Sequence, residues 1–172
     1  MSETNNTEAM LLEYRKTVRN LFDTGASDVI DNSSPRHAAI LLEEMIRHAN
    51  VSFRAFAGRM NPTVWNINVM GALNDAIERG VNVQLLVEQD CEPIQNGTMP
   101  DIVRRAVRRC LATEGFSPAS FSHCATGDCQ SFRLEMDRDK KTAAFAANNP
   151  ALASRVATIF DYLQSKSVQY AA

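Results

Sequence analysis

The segment His123-Cys124-Ala125-Thr126-Gly127-Asp128-Cys129 brings an imidazole, two thiols and a carboxylate close together in the chain. His123, Cys124 and Cys129 are soft metal ligands, but a structural zinc site takes cysteines paired at closer spacing and a second pair elsewhere. Only Cys91 and Cys110 remain to complete it, and Cys110 reads as helix core, so no metal and no cofactor is expected. Cys124 as a nucleophile served by His123 fails on geometry, because neighbours in a strand point to opposite faces. The remaining reactive combination is His123 as nucleophile or general base with Asp128 as its acid, and an arginine to hold developing phosphate charge.

Arginines with that role fall in two places. Arg54 and Arg59 lie at and just beyond the end of a strand candidate, VSFRAFA, and open parallel sheets bind ligands at the carboxyl ends of their strands. Arg104, Arg105, Arg108 and Arg109 form two pairs at helical spacing, and four guanidinium groups on one helix face can grip phosphates bidentately. A solvated helix face is the plainer reading of that stripe, and nucleic acid is the partner it would fit otherwise. His37 and His48 stand in the first and last turns of one helix candidate, too far apart to share a ligand, and read as surface or capping residues.

The elements that must position these groups alternate in type. EAMLLEYRKTVRNLFDTG is an amphipathic helix stopped by Gly25, followed by a short strand candidate at Ser27–Asp31. Ser34 and Pro35 cap and start the helix PRHAAILLEEMIRHAN. VSFRAFA reads as a strand, TVWNINVMGALNDAIERG as a helix, and VNVQLLV as a strand buried on both faces. A turn-rich loop, EQDCEPIQNGTMP, leads into a helix over PDIVRRAVRRCLATEG. Strands are expected around Ala119–Cys124, Ser131–Asp137 and Thr142–Ala147, with Asn149 and Pro150 opening a last helix. The order predicts an α/β fold: a mixed, mostly parallel sheet flanked by helices on both faces.

The chain has 172 residues, 45% of them apolar, and a formal net charge of −2. That length suits one domain with a packed core, and the balance of charge excludes a strongly basic or acidic binder. The expected division is an N-terminal helix at 1–26, one domain at 27–166 and a soft tail at 167–172. A signal sequence and an apolar run long enough for a membrane span are both missing, so a cytoplasmic protein with reduced thiols and no membrane partner is expected.

From about Asp28 to Lys166 the order of elements resembles the phospholipase D-like superfamily. The segments that carry the likeness are HAAILLEEMIRHAN–VSFRAFAG, ALNDAIERGVNVQLLVEQ and PALASRVATIFDYLQSK. The family motif is histidine-x-lysine, four residues, aspartate, then a GSxN segment. One register keeps this spacing on QSFRLEMDRDKKTAAFAANNP: Phe132 takes the histidine position, Leu134 the lysine, Asp139 the aspartate, and Ala146 to Asn149 the GSxN segment. In that register Phe132 and Leu134 are packed apolar residues, Asp139 a turn residue and Asn149 a helix cap. A second register puts His123 at the histidine position and Ala125 at the lysine, with Asp128 as the acid two residues early. Neither contains an intact motif. The resemblance therefore implies a non-catalytic binding or assembly module, paired as a homodimer and docking a protein partner or nucleic acid. The alternatives are a weak phosphodiesterase built on His123 and Asp128, or a sequence-independent nucleic-acid binder using the Arg104 to Arg109 helix.

Overall fold

The computed structural model describes residues 3–32, 34–137 and 142–170. Helix α1 (Glu3–Thr24) turns Tyr14, Val18, Leu21 and Phe22 towards the core and stops where Gly25 adopts φ +65°. Strand β1 (Ile30–Asn32) follows. Helix α2 (Pro35–His48) begins as the sequence predicts: Ser34 Oγ accepts a hydrogen bond from His37 N, and Pro35 fills the first turn, where its missing N–H costs nothing. Every residue from Ala38 to Ile46 is buried, including Glu43 and Glu44. Such all-round burial is unusual for charged residues. It is tolerated because Arg15 and Arg19 of α1, with Arg47, bond to the two carboxylates at 2.6–3.1 Å.

Strand β2 (Ser52–Ala57), helix α3 (Ile67–Glu78) and strand β3 (Asn82–Val87) form the expected crossover, with β2 and β3 parallel. The side chain of Asn66 caps α3 by accepting from Asn68 N and Val69 N. Two one-turn helices, α4 (Glu92–Gln95) and α5 (Asp101–Arg104), then lead to strand β4 (Val107–Cys110), parallel to β3.

This corrects the long helix expected over 100–115. Val103, Val107 and Cys110 are spaced as a helix stripe, yet Val107 and Cys110 belong to different apolar clusters, as residues on opposite faces of a strand do. Pairing with the exposed edge of β3 outweighs the local helical preference. The arginine helix therefore does not exist: Arg104 is in α5, Arg105 caps its end, and Arg108 and Arg109 are neighbours in a strand.

Strands β5 (Cys124–Gly127), β6 (Ser131–Asp137) and β7 (Thr142–Ala146) form an antiparallel meander. The strand expected at Ala119–Cys124 starts only at Cys124, because Pro118–Ser120 forms a short 3₁₀ turn and Cys124 is the residue that pairs with Phe56 of β2. Helix α6 (Pro150–Ser165) follows, capped by Asn149 Oδ1 accepting from Leu152 N at 3.1 Å. Residues Ser167–Gln169, expected in a soft tail, instead form strand β8 against β4.

The eight strands make one sheet in the order β1-β7-β6-β5-β2-β3-β4-β8. It is mixed and covered on both faces, as expected, but only the β2–β3 and β3–β4 pairs are parallel, so antiparallel pairing predominates. One face packs Phe53, Leu85 and Phe145 under α1, α2 and α3. The other packs Phe56, Leu86 and Phe132 under Phe160 and Leu163 of α6. No helix among the described residues is long and apolar enough to cross a membrane.

Candidate functional site

A cavity of about 570 Å³ opens at the carboxyl ends of β2 and β3. Its floor comes from the end of β2, and one wall from the β2–α3 loop, including Met60, Val64 and Trp65. Met60 is 1% exposed and adopts φ +58°, an uncommon backbone for a bulky residue, and its sulfur lies 3.5 Å from Cys91 Sγ. Glu88 enters directly after β3, His123 directly before β5, and Arg133 and Glu135 from β6. Ser34 and Pro35 at the start of α2 also line it.

His123 is the centre of the polar groups. Its Nε2 lies 3.2 Å from Glu88 Oε1 and its Nδ1 lies 2.8 Å from Glu135 Oε2, the second close enough for an ion pair but not aligned as a hydrogen bond. The ring also meets the edge of Phe56, with centroids 5.6 Å apart. Gly58 makes room for this cluster: a Cβ there would stand 3.2 Å from Glu88 Oε1 and 3.3 Å from the imidazole. The two carboxylates approach opposite sides of the ring and do not converge on one point. Among the described residues no group of three or more histidine, cysteine or acidic side chains is arranged to hold a metal ion.

Arg133 is 9% exposed. Among the described residues its guanidinium makes one hydrogen bond, a long one of 3.4 Å from Nη2 to Asn32 Oδ1, and its Nε has no partner. Burial lowers its pKa, while the nearby charge of Glu135 works in the opposite direction. Burial also pushes the Tyr14 hydroxyl up to about 12, opposed by the charge of Arg133.

The other predicted site residues are dispersed. Asp128 stands at the opposite end of β5 from His123, so the expected His123–Asp128 pair does not form. Its carboxylate instead accepts from Asn50 N, Val51 N and Ser52 N at 2.8–2.9 Å. Arg54 lies on the α6 face, 3.0 Å from Asp161, away from the cavity. Arg59 does line the cavity and pairs with Glu92 at 2.8 Å. Arg104 pairs with Asp101 and Arg109 with Asp90, Arg108 bonds Ser167, and Arg105 is exposed.

Phe132 and Leu134 pack on the α6 side, Asn149 caps α6, and Asp139 lies outside the described residues. His37 stacks on Tyr14 and His48 on Phe22. Sequence reasoning missed Glu88, Arg133 and Glu135. Glu88 carried a usable signal, being the first polar residue after a buried parallel strand. Arg133 and Glu135 alternate with Phe132 and Leu134, a pattern that reads equally well as a solvated strand face.

No protein-family model matches the sequence, and no curated protein matches it either. Solved structures do. TrmBL2, an archaeal chromatin protein described as showing a novel mode of DNA binding, is similar over 97% of this chain with a TM-score of 0.64 and 13% identity. This chain spans 66% of that protein. Nuc from Salmonella typhimurium, a phospholipase D family member, is similar over 84% of this chain and 99% of its own, with a TM-score of 0.61 and 18% identity. NucT from Helicobacter pylori is similar over 83% of this chain and all of its own, with a TM-score of 0.55 and 10% identity. The chain has a phospholipase D-like fold.

Proposed function

We propose that this phospholipase D-like chain is a non-catalytic binding module whose cleft receives a small ligand. The observation that carries the reading is His123, which has a carboxylate at each ring nitrogen. Attack on phosphorus needs an imidazole nitrogen facing the substrate and cations to hold the phosphate. Here two carboxylates stand where an anionic substrate would have to approach, and like charge opposes it. The location of His123 in the cavity, with Phe132 and Leu134 packed under α6, favours the second register of the motif. In that register Ala125 occupies the lysine position and brings no charge.

The purified protein is expected to hydrolyse bis-p-nitrophenyl phosphate no faster than background, with or without divalent metal. Turnover that disappears in His123→Ala would overturn the reading. Homodimer assembly, a protein partner and a cytoplasmic location belong to the same proposal. The dimer rests on the resemblance, which implies that a chain with one copy of the motif region pairs across a two-fold axis, and a monomer by sedimentation at roughly tens of micromolar would count against it.

Nucleic-acid binding is the second reading, and the observation in its favour is the likeness to a DNA-binding chromatin protein over nearly the whole chain. Against it, Arg54, Arg59, Arg104 and Arg109 are each paired with an acid.

A further inference from the structure

Helix α1 meets the domain along a seam of titratable groups, with α2 as its main neighbour among the described elements. His37, Glu44 and His48 are spaced along α2 so that they return to one face of the helix. All three meet α1. Tyr14 stacks on His37 at 4.0 Å, Arg15 and Arg19 bond Glu44 at 2.6 and 3.0 Å, and Phe22 stacks on His48 at 4.3 Å. Arg15 also bonds Glu43 at 2.7 Å.

Apolar residues of the same volume would hold such a seam at least as well, because desolvation offsets much of what a buried ion pair gains. The charges make an interface that water can take over: when α1 leaves, Glu43 and Glu44 become hydrated carboxylates where apolar side chains would become exposed hydrocarbon. Helix α1 also commits little apolar surface. Of its stripe only Val18 is fully buried, Tyr14, Leu21 and Phe22 are half-buried, and residues 6–10 are exposed. The connection to β1 is exposed at Gly25 and again from Ser27 to Val29. Val18 and the contact of Phe22 with Phe145, at 5.8 Å between ring centroids, oppose release and keep the closed form dominant at neutral pH.

The same helix reaches the cleft. Tyr14 stacks on the first turn of α2, whose Ser34 and Pro35 line the cavity, and its hydroxyl is close enough to Arg133 for each to act on the other's charge. We infer that α1 is an acid-sensitive strap: it lies closed on α2 near neutral pH, shielding Arg133 at the cleft, and lifts away as a unit when the carboxylates beneath it are protonated, while the sheet stays folded.

Glu43 faces Arg15 and Arg47, and Arg47 stands 3.9 Å from Asp75 of α3, while Glu44 faces Arg15 and Arg19. Burial raises the Glu43 carboxyl, but Arg15 and then Arg47 outweigh it and leave it below its ordinary value. The clasp is therefore complete above the ordinary carboxylate range and is lost as pH falls through the lower, folded-state value. Histidine protonation is not the trigger: His48 stands 3.9 Å from Asp23, a pair that a proton on the imidazole strengthens, and a charged His37 still faces the Tyr14 ring.

The test is hydrogen–deuterium exchange of the full chain at about pH 7 and about pH 3.5, either side of the carboxylate range and corrected for intrinsic rates. Amides of residues 14–22 are expected to be about tenfold less protected than those of β2 and β3 in the same molecule, and to lose about tenfold more at the lower pH while the strands stay protected. Equal protection of helix and strands, loss of both together, or an α1 indifferent to pH overturns the inference. Arg15→Gln opens the clasp without acid. At about pH 7 it is expected to lower α1 protection about tenfold, to reduce the further loss on acidification, and to speed labelling of Arg133 by phenylglyoxal by a similar factor. An acid response as large as that of the unsubstituted protein places the trigger elsewhere, and unchanged labelling of Arg133 means that α1 does not shield the cleft. Either result overturns the inference.

Discussion

Asp128 shows how a residue suited to catalysis can be fully committed to structure. It occupies the β5–β6 turn with φ +53°, next to Cys129 at φ +54°. Two such residues in succession are the geometry of a tight hairpin turn, usually supplied by Asn-Gly or Asp-Gly. From there its carboxylate accepts three consecutive backbone N–H groups at the entry to β2 and so ties two distant parts of the chain together. Asp128→Ala removes these bonds and places a less tolerant residue at positive φ, so a loss of roughly 2 kcal/mol in urea unfolding is expected. Asp128→Asn should lose less, since asparagine accepts the turn geometry and keeps one acceptor oxygen. A change in cleft binding without a change in stability would contradict this structural role.

At the scale of elements, α1 is held to the domain by charge as well as by its apolar stripe. Arg15 contacts Glu43 at 2.7 Å and Glu44 at 2.6 Å, and Glu44 is 1% exposed. Burial raises the Glu43 pKa, but the hydrogen bonds and charge of Arg15 and then Arg47 outweigh it and hold the carboxyl below its ordinary value. A carboxyl depressed in the folded state stabilises fully above its unfolded pKa, and that stability is lost as pH falls through the folded pKa. Arg15→Ala is therefore expected to cost roughly 2 kcal/mol at neutral pH, less than a fully broken buried pair because Arg19 and Arg47 remain. It should also flatten the fall in melting temperature between neutral pH and the acid side of the carboxylate range. Unchanged acid sensitivity in the variant would mean that Glu43 draws its stabilisation from elsewhere.

At the scale of the whole molecule, a net charge of −2 gives no overall attraction for a polyanion, and Arg54, Arg59, Arg104 and Arg109 each have an acid beside them. Binding to duplex DNA, measured by fluorescence anisotropy, is expected to vanish at physiological salt. Any binding at low salt should fall with a log–log slope near −0.9 per phosphate contact. Binding that resists salt would raise the nucleic-acid reading above the small-ligand one.

Local chemistry made much of this architecture legible before any coordinates. Ser34-Pro35, Asn149-Pro150 and the glycines at 25 and 80 mark helix ends through caps and backbone freedom that operate within a few residues. The apolar run of β3 announced burial on both faces because its valines and leucines must leave water, and Leu86 is buried on the face opposite Val83, Leu85 and Val87. What failed was decided by distant partners. Residues 107–110 carry a spacing that fits a helix or a strand, and only the free edge of β3 makes them a strand. His123 was visible as a reactive side chain, but its partners proved to be Glu88 and Glu135, 35 residues before it and 12 after, and not the nearby Asp128. Local periodicity and backbone preference were enough to set helices α1, α2, α3 and α6, the caps of α2 and α6 and the α/β class. The tertiary structure alone decided the strand directions, the face of each arginine and the composition of the cleft, because those depend on which segments meet across the sheet.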